Sequence, residues 1–300
     1  MTATRSIGFL IHPGEQVAAR VAVARAQACG FAVWTAVDDP EGSFAEHAGD
    51  TALLVTVGGD GTFLYGARLA APAGIPVLGV NRGRLGFLAD VELSDLPDAI
   101  SRYAEGRFVI QRRSLISVRT GLAENGPLPL ALNEVVVRAR GVNVVRLRVD
   151  ADGEVLGEFD ADGVVVATAT GSTAYALSAG GPPVDPRLHA LVVVPLAPHA
   201  VISRPVVIPE ATRVDVHVVA GSVAVAADGR MSGRLDSGGL VAVRPGPELS
   251  VIRFDTSPSF LERLREKFRF GVPHKGVVRG ELPVAAAEDD DSVEEGHGAS

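Results

Sequence analysis

The sequence predicts two architectures in one chain: an α/β half with a mostly parallel sheet, then a β-rich, sandwich-like half. Three observations carry this. Over the first 110 residues, short apolar runs alternate with Ala-rich helical stretches. Beyond about residue 110, strand-like runs follow one another closely, with Asp152-Gly153 and Asp228-Gly229 as hairpin-turn dipeptides. At 300 residues the chain is about two domains long, at ~150 residues per domain.

In the first half, Ser6–His12 reads as a buried strand. Glu15–Cys29 has no internal Gly or Pro and reads as a helix that Gly30 stops. Phe31–Val37 is a second strand. Thr51–Val57 is a third, apolar nearly throughout, as a strand covered on both faces should be. Gly58–Gly61 breaks it, and a helix resumes over Thr62–Ala71. Ile75–Val80 is another strand, and Ser94 is placed to cap a helix from Asp95 to about Glu105. In the second half, strands are expected at Leu115–Arg119, Leu132–Arg138, Val144–Val149, Val155–Phe159, Val164–Thr168, Leu191–Val194, Val206–Ile208, Val214–Val219, Val223–Ala226, Leu240–Val243 and Leu249–Phe254. A short helix is expected near Ser172–Ser178 and a longer one over Pro258–Phe268, with Phe260, Leu261, Leu264 and Phe268 on one stripe. The resulting division is 1–110, 111–254, 255–275 and a tail at 280–300.

Composition excludes several classes. Hydrophobic residues at 47% and charged residues at 21% argue against a mostly disordered chain. Net charge is −8, but Glu288–Ser300 holds six acids and no Lys or Arg, so the body carries about −2 and the tail is expected to be disordered. That balance lacks the basic footprint of a nucleic-acid binder. No apolar run approaches the ~20 residues of a membrane span, and no signal segment is read at the start. Cys29 is the one cysteine, which rules out an intrachain disulfide and a cysteine-cluster metal site. A reducing, cytoplasmic setting is expected.

Four motifs could carry chemistry. Gly58-Gly-Asp-Gly-Thr62 sits where a strand ends and a helix begins. Helix-start amides and glycine backbone suit an anion such as phosphate. Asp60 is the anomaly, because a carboxylate repels phosphate. It serves as a helix cap, or it handles a proton, a metal ion or a hydroxyl group. The block is neither a Walker A loop nor the dinucleotide fingerprint, since no Gly-Lys-Ser/Thr follows and Leu64 stands where a third Gly is required. The second motif runs from Asp162-Gly163 through Thr170-Gly-Ser-Thr-Ala-Tyr175 to Gly181-Pro182. Its hydroxyls at Thr168, Thr170, Ser172 and Thr173 suit phosphate or ribose, or local capping. The third is Asn81-Arg-Gly-Arg-Leu-Gly-Phe-Leu88, with Arg82 and Arg84 able to contact phosphate. The fourth is Asn133-Glu134, a polar pair within a strand run, where such residues are depleted. The seven histidines show no metal-ligand spacing, and His199 reads as a loop histidine.

Together these motifs resemble the NAD kinase family, in order and spacing over residues 6–270, with Pro198-His199 and Arg204-Pro205 as a fifth matching element. The glycine block alone is shared with diacylglycerol, sphingosine and 6-phosphofructokinases, whereas Thr170–Tyr175 is specific. The resemblance implies an α/β N-terminal domain, a β-sandwich-like C-terminal domain and a last helix that packs back on the first. It implies phosphorylation of the adenosine ribose 2′-hydroxyl of NAD to NADP, with ATP or polyphosphate as donor, Mg²⁺ as divalent ion and a homodimer or homotetramer. Asp60 would be the catalytic base or hold Mg²⁺, with no other protein metal ligand assigned. Gly58, Gly59, Gly61 and Thr62 would cradle donor phosphates. Asp60, Gly61, Asn133, Glu134, Asp160, Asp162 and Arg230 would bind NAD. Thr173, Ala174, Tyr175, Ala176, Leu177 and Ser178 would line its adenine and ribose pocket. The chain departs from the family pattern at three positions. Asp160 stands where some relatives carry a basic residue, Ala169 where proline is common, and Arg230 where glutamine is common. The alternatives are a lipid kinase of the diacylglycerol type and a non-catalytic NAD-binding sensor.

Overall fold

The apolar runs of the first hundred residues form parallel strands whose two faces are each covered by a helix pair. The computed structural model describes residues 5–37, 40–81, 83, 86–121, 129–199 and 204–268. Arg82, Arg84, Leu85, Ser203, residues 269–275 and the acidic tail lie outside them. Residues 1–260 make one compact unit and 261–300 a second, whose described part, 261–268, is helical.

In chain order the first half contains β1 (Ser6–Ile11), α1 (Gln16–Ala28), β2 (Ala32–Ala36), α2 (Pro40–His47), β3 (Thr51–Val57), α3 (Asp60–Ala73), β4 (Val77–Asn81), β5 (Val91–Glu92) and α4 (Leu96–Ala104). Neighbouring strands in the order β5-β4-β3-β1-β2 are parallel. Ala19, Ala22 and Ala26 of α1 and Leu96 and Ile100 of α4 pack with Ile7, Phe9, Leu53 and Val55 on one face. Phe44 of α2 and Phe63, Ala67 and Ala70 of α3 pack with Leu10, Leu54 and Val77 on the other. Small alanines let the helices lie close to the sheet, and the branched strand residues fill what remains.

Two local expectations change. α3 begins at Asp60 rather than Thr62, so the carboxylate belongs to the helix's first turn. Ser94 does not cap α4. A 3₁₀ turn over Leu93–Asp95 precedes the helix, and the Ser94 hydroxyl donates to the Asp95 carboxylate instead.

The second half contains β6 (Val109–Thr120), β7 (Leu130–Ala131), β8 (Glu134–Ala139), β9 (Val145–Ala151), β10 (Glu154–Ala161), β11 (Gly163–Thr168), α5 (Tyr175–Ser178), β12 (Ala190–Leu196), β13 (Val206–Pro209), β14 (Val214–Ala220), β15 (Ser222–Ala227), β16 (Arg230–Asp236) and β17 (Leu240–Arg253), followed by α6 (Phe260–Phe268). One antiparallel sheet runs β13-β12-β11-β8-β15-β16. Its inner valines, among them Val135, Val137, Val164 and Val223, face Leu147, Val149, Val216 and Val243 to make the sandwich core. The opposing sheet is not separate. β10-β9-β14-β17 continues through β17 into β4-β3-β1-β2 as a single eleven-stranded sheet. Each half has the architecture expected, and one strand joins them. No described helix is long and apolar enough to cross a membrane.

Leu147 is fully buried at the centre of the sandwich core. Leu147→Ala should therefore destabilise the fold by about 2–5 kcal/mol through lost contacts and a residual cavity. Urea unfolding checks this, as a lower midpoint at unchanged slope.

Candidate active site

The sequence places its polar motifs at the ends of strands, and the fold gathers several of them. β3 delivers the chain into Gly58–Thr62, where the Gly58 N–H donates to Val80 O at 3.0 Å and ties the loop to the end of β4. Asp60 is exposed on the first residue of α3, whose N-cap is Gly59. A carboxylate here is favoured by the helix dipole. It also sits against the loop after β4, because a Cβ at Gly86 would lie 2.5 Å from Asp60 Oδ1. The first and third motifs thus meet, and a side chain at position 86 would press on the end of the Asp60 carboxylate. Beside the loop, a cleft of about 470 Å³ is lined by His12, Gly59, Gly61, Thr62 and Tyr65 at the carboxyl ends of the parallel strands. Ligands of open α/β sheets bind at that edge. Burial, then a hydrogen bond with Glu41, pushes the Tyr65 hydroxyl up to about 12, so it is a neutral donor here.

A second group forms at the turn before β8. Asn133 is half-buried and Glu134 is buried. The Asn133 carbonyl accepts from the Thr168 N–H at 2.8 Å. Gly171 packs against that same backbone, where a side chain would collide with Asn133 O. The second and fourth motifs therefore also meet. Glu134 Oε2 is buried without a hydrogen-bond partner, an orphan that a ligand hydroxyl could satisfy. The Tyr175 N–H donates to the same carboxyl group.

The four hydroxyls of the Thr168–Thr173 turn are largely committed inside the protein. Thr168 Oγ1 donates to Leu132 O at 2.5 Å and accepts from the Gly171 N–H at 3.0 Å. Ser172 Oγ donates to Ala169 O at 2.7 Å and accepts from the Val184 N–H at 2.8 Å. Thr170, also buried, is reached by Arg113, and Thr173 is half-buried and donates to Thr170 O. The turn's hydroxyls build the local shape more than they face a ligand. Of Ala174–Ser178, Tyr175 and Ser178 are exposed, Ala174 and Leu177 half-buried and Ala176 buried.

Asp160 and Asp162 lie elsewhere. Asp160, next to last in β10, makes a two-pronged ion pair with Arg146 at 2.9 and 3.0 Å, which holds its carboxyl below the usual range. Its carbonyl accepts from the His199 N–H at 2.7 Å. β6 pairs along β17 from Val241 to Arg253, so β14 and β4 take the other edge of β17 near opposite ends, at Leu240–Val243 and at Val251, and β10 lies two strands beyond β14. Asp162 precedes Gly163, which pairs with Arg138, whereas Glu134 pairs with Ala167 at the other end of β11. Arg230 is exposed at the mouth of a cavity of about 340 Å³, together with Tyr65, Arg68, Leu130 and Met231.

Two residues escaped the sequence reading. Asp228 reads as a turn residue, and it is one, with φ +45°. Its carboxylate also accepts from the Leu132, Asn133 and Glu134 N–H groups. Arg68, two turns beyond Asp60 on α3, approaches it at 3.6 Å. Nothing local marks either one, since partners 94–160 residues away in sequence define both roles.

Family models of the ATP-NAD kinase N-terminal and C-terminal domains match residues 8–108 and 132–253. The chain is 42% identical over 242 residues to an NAD kinase of Heliobacterium modesticaldum, covering 78% of this chain and 84% of that protein. It is 40% identical over 228 residues to an NAD kinase of Nocardia farcinica, covering 73% and 69%. An NAD kinase structure from Archaeoglobus fulgidus in complex with ATP superposes with TM-score 0.68 at 26% identity, covering 88% of this chain and 97% of that one. Yeast NADH kinase complexed with NADH shares the fold at TM-score 0.77 and 22% identity, covering 91% and 90%.

Glu134 generates a prediction. Burial first, and the Asp228 charge second, push its carboxyl from 4.5 up to about 7, with the Tyr175 N–H opposing. Between those values the folded chain keeps a proton that the unfolded chain releases. The stability this gives is complete below about pH 4.5 and lost as pH rises through 7. Against Glu134→Gln, wild type should be relatively more stable at pH 5 than at pH 7.5 in urea melts. A difference that does not vary with pH would contradict the shift.

Proposed function

The chain belongs to the NAD kinase family and is an enzyme that phosphorylates NAD with ATP as co-substrate, and we propose that the acceptor is the adenosine ribose 2′-hydroxyl, with Asp60 as its base. The product is NADP. The lipid-kinase and sensor alternatives find no support in these matches. The observation that carries the reading of the site is the exposed Asp60 carboxylate at the start of α3, in a glycine loop beside a cleft.

Phosphoryl transfer needs in-line positioning and charge neutralisation more than covalent help. Asp60 accepts the hydroxyl proton as the new O–P bond forms and the bond to the leaving ADP oxygen breaks. Such a base contributes about 10²–10⁴-fold. Of the four loop residues expected to cradle donor phosphates, Gly59 and Gly61 offer N–H groups at the positive end of α3, while the Gly58 and Thr62 N–H groups are bonded to Val80 O and Gly59 O and hold the loop's shape. Asn133 and Glu134 hold a ribose or the adenine, and Thr173–Ser178 line that pocket. Arg230 supports the bound nucleotide with its exposed charge.

No cluster of three or more His, Cys, Asp or Glu able to hold a metal occurs among the described residues. That donor set fits a Mg²⁺ bound chiefly by ATP phosphates and water, with Asp60 as the protein carboxylate nearest the reaction. When bound, the ion neutralises phosphate charge. Polyphosphate is a second donor consistent with a loop that reads phosphates alone. A homodimer or homotetramer would let Asp160 and Asp162 serve a neighbouring copy's dinucleotide rather than their own. A cytoplasmic setting accords with the single cysteine.

Purified protein with NAD, ATP and Mg²⁺ should yield NADP, read with an NADP-specific dehydrogenase. Asp60→Asn should bind NAD with similar affinity and turn over at least ~100-fold more slowly. Unchanged turnover would remove Asp60 from the mechanism. Gly86→Ala pushes a methyl group into the Asp60 carboxylate. It should lower kcat by roughly 10–100-fold, since misplacing a catalytic group by about 1 Å costs that much. Wild-type kcat in this variant would show that the contact does not place the carboxylate.

A further inference from the structure

We propose that Asp228 is a positioning residue, whose buried carboxylate, with Arg68 as counter-ion, fixes the turn presenting Asn133 and Glu134 to NAD. This rests on the reading of the site given above. The Asp228 side chain is completely buried. Its Oδ1 accepts from the Asn133 N–H at 2.8 Å and the Glu134 N–H at 3.2 Å, and its Oδ2 accepts from the Leu132 N–H at 2.9 Å. The Asp228 N–H donates to Glu134 O at 3.0 Å, closing the pair in both directions. The strand register sets this up. Ala227 is the last residue of β15 and pairs with Val135, so Asp228 lies where the turn before β8 runs out of ladder partners. One carboxylate there satisfies three successive donors.

A buried carboxylate is costly unless it is paired. Arg68 Nη1 lies 3.6 Å from Oδ2. Arg68 is on α3, the helix that starts at Asp60. The same ion pair therefore ties the helix carrying the base to the turn carrying the NAD contacts. Asp228 acts through these groups and touches neither substrate. Its φ of +45° is a conformation asparagine also adopts. Asp228→Asn thus keeps the backbone turn, turns an amide donor toward N–H groups and removes the charge facing Arg68.

The test compares wild type, Asp228→Asn and Arg68→Met by steady-state kinetics, NAD titration calorimetry and amide hydrogen exchange. Asp228→Asn should raise KM and Kd for NAD at least tenfold, equivalent to about 1.4 kcal/mol. KM for ATP should stay within twofold. Arg68→Met should raise KM for NAD by about threefold, roughly the ~0.6 kcal/mol of a partly buried ion pair. Exchange should accelerate at the Leu132, Asn133 and Glu134 amides in Asp228→Asn and not across the sheets. NAD constants within twofold of wild type in both variants overturn the proposal, as does a parallel rise of both KM values. If Asp228→Asn does not fold, Arg68→Met decides by the same measures. If wild type makes no NADP, the reading of the site has failed on its own. Exchange at the three amides still decides positioning: acceleration supports it, and no change overturns it.

Discussion

Strand β17 belongs to both halves of the molecule, and the site depends on that sharing. Its first residues, Leu240–Val243, pair with β14 and bury Val241 and Val243 in the sandwich core. Ten residues on, Val251 pairs in parallel with Val77 of β4, and Ile252 packs in the α/β core. At ~3.3 Å per residue the fourteen residues of β17 extend roughly 45 Å, and β6 runs antiparallel beside both parts. The ladder slips between Pro245 and Glu248, where Pro245 and Pro247 supply no N–H and the ribbon changes register. The eleven-stranded sheet thus holds the loop after β3 and, through β7 on β6, the entry to the turn before β8, whereas β8 itself runs in the other sheet.

Within that frame, three carboxyl groups near the site lie in three different environments. Asp60 is exposed and lies at a helix start. Glu134 is buried beside another acid and is pushed toward its neutral form. Asp228 is also pushed up by burial, with three N–H groups and then Arg68 opposing that push. Arg68 feels the reverse, since burial and Arg230 lower its pKa while Asp228 raises it. Environment rather than residue type separates an exposed acid, a buried acid and a structural anchor.

Much of the architecture is legible because it rests on short-range patterns. β3 forms over Thr51–Val57, residue for residue as its apolar run predicts, and α1 falls one residue inside its expected bounds at each end. Elements were lost where pattern and packing part company. β16, Arg-Met-Ser-Gly-Arg-Leu-Asp, is a polar edge strand with no apolar alternation to read. β17 reads as two strands because Pro245-Gly-Pro247 looks like a break, whereas β6 and the two cores carry the chain across it. The hydroxyls of Thr168 and Ser172 suit either a ligand or local capping in sequence, and in the fold they bond the turn's own backbone.

The motifs themselves are recognisable in sequence for a reason that only tertiary contact explains. At Gly86 the end of the Asp60 side chain lies where a methyl group would be. Gly171 is small because the Asn133 carbonyl lies where its Cβ would be. Thr168 bridges the same turn through both its N–H and its hydroxyl. Each signature segment is thus shaped by another signature segment far away along the chain. Four separate stretches of sequence therefore behave as two interlocked pairs, one around the Asp60 carboxylate and one around the Asn133–Glu134 turn. The buried pair of Arg68 and Asp228 runs from the helix of the first to the turn of the second. A side chain at position 171 is felt at Asn133 before it is felt at any ligand, because the two backbones already lie within contact distance and the close-packed interior has no slack to absorb a methyl group.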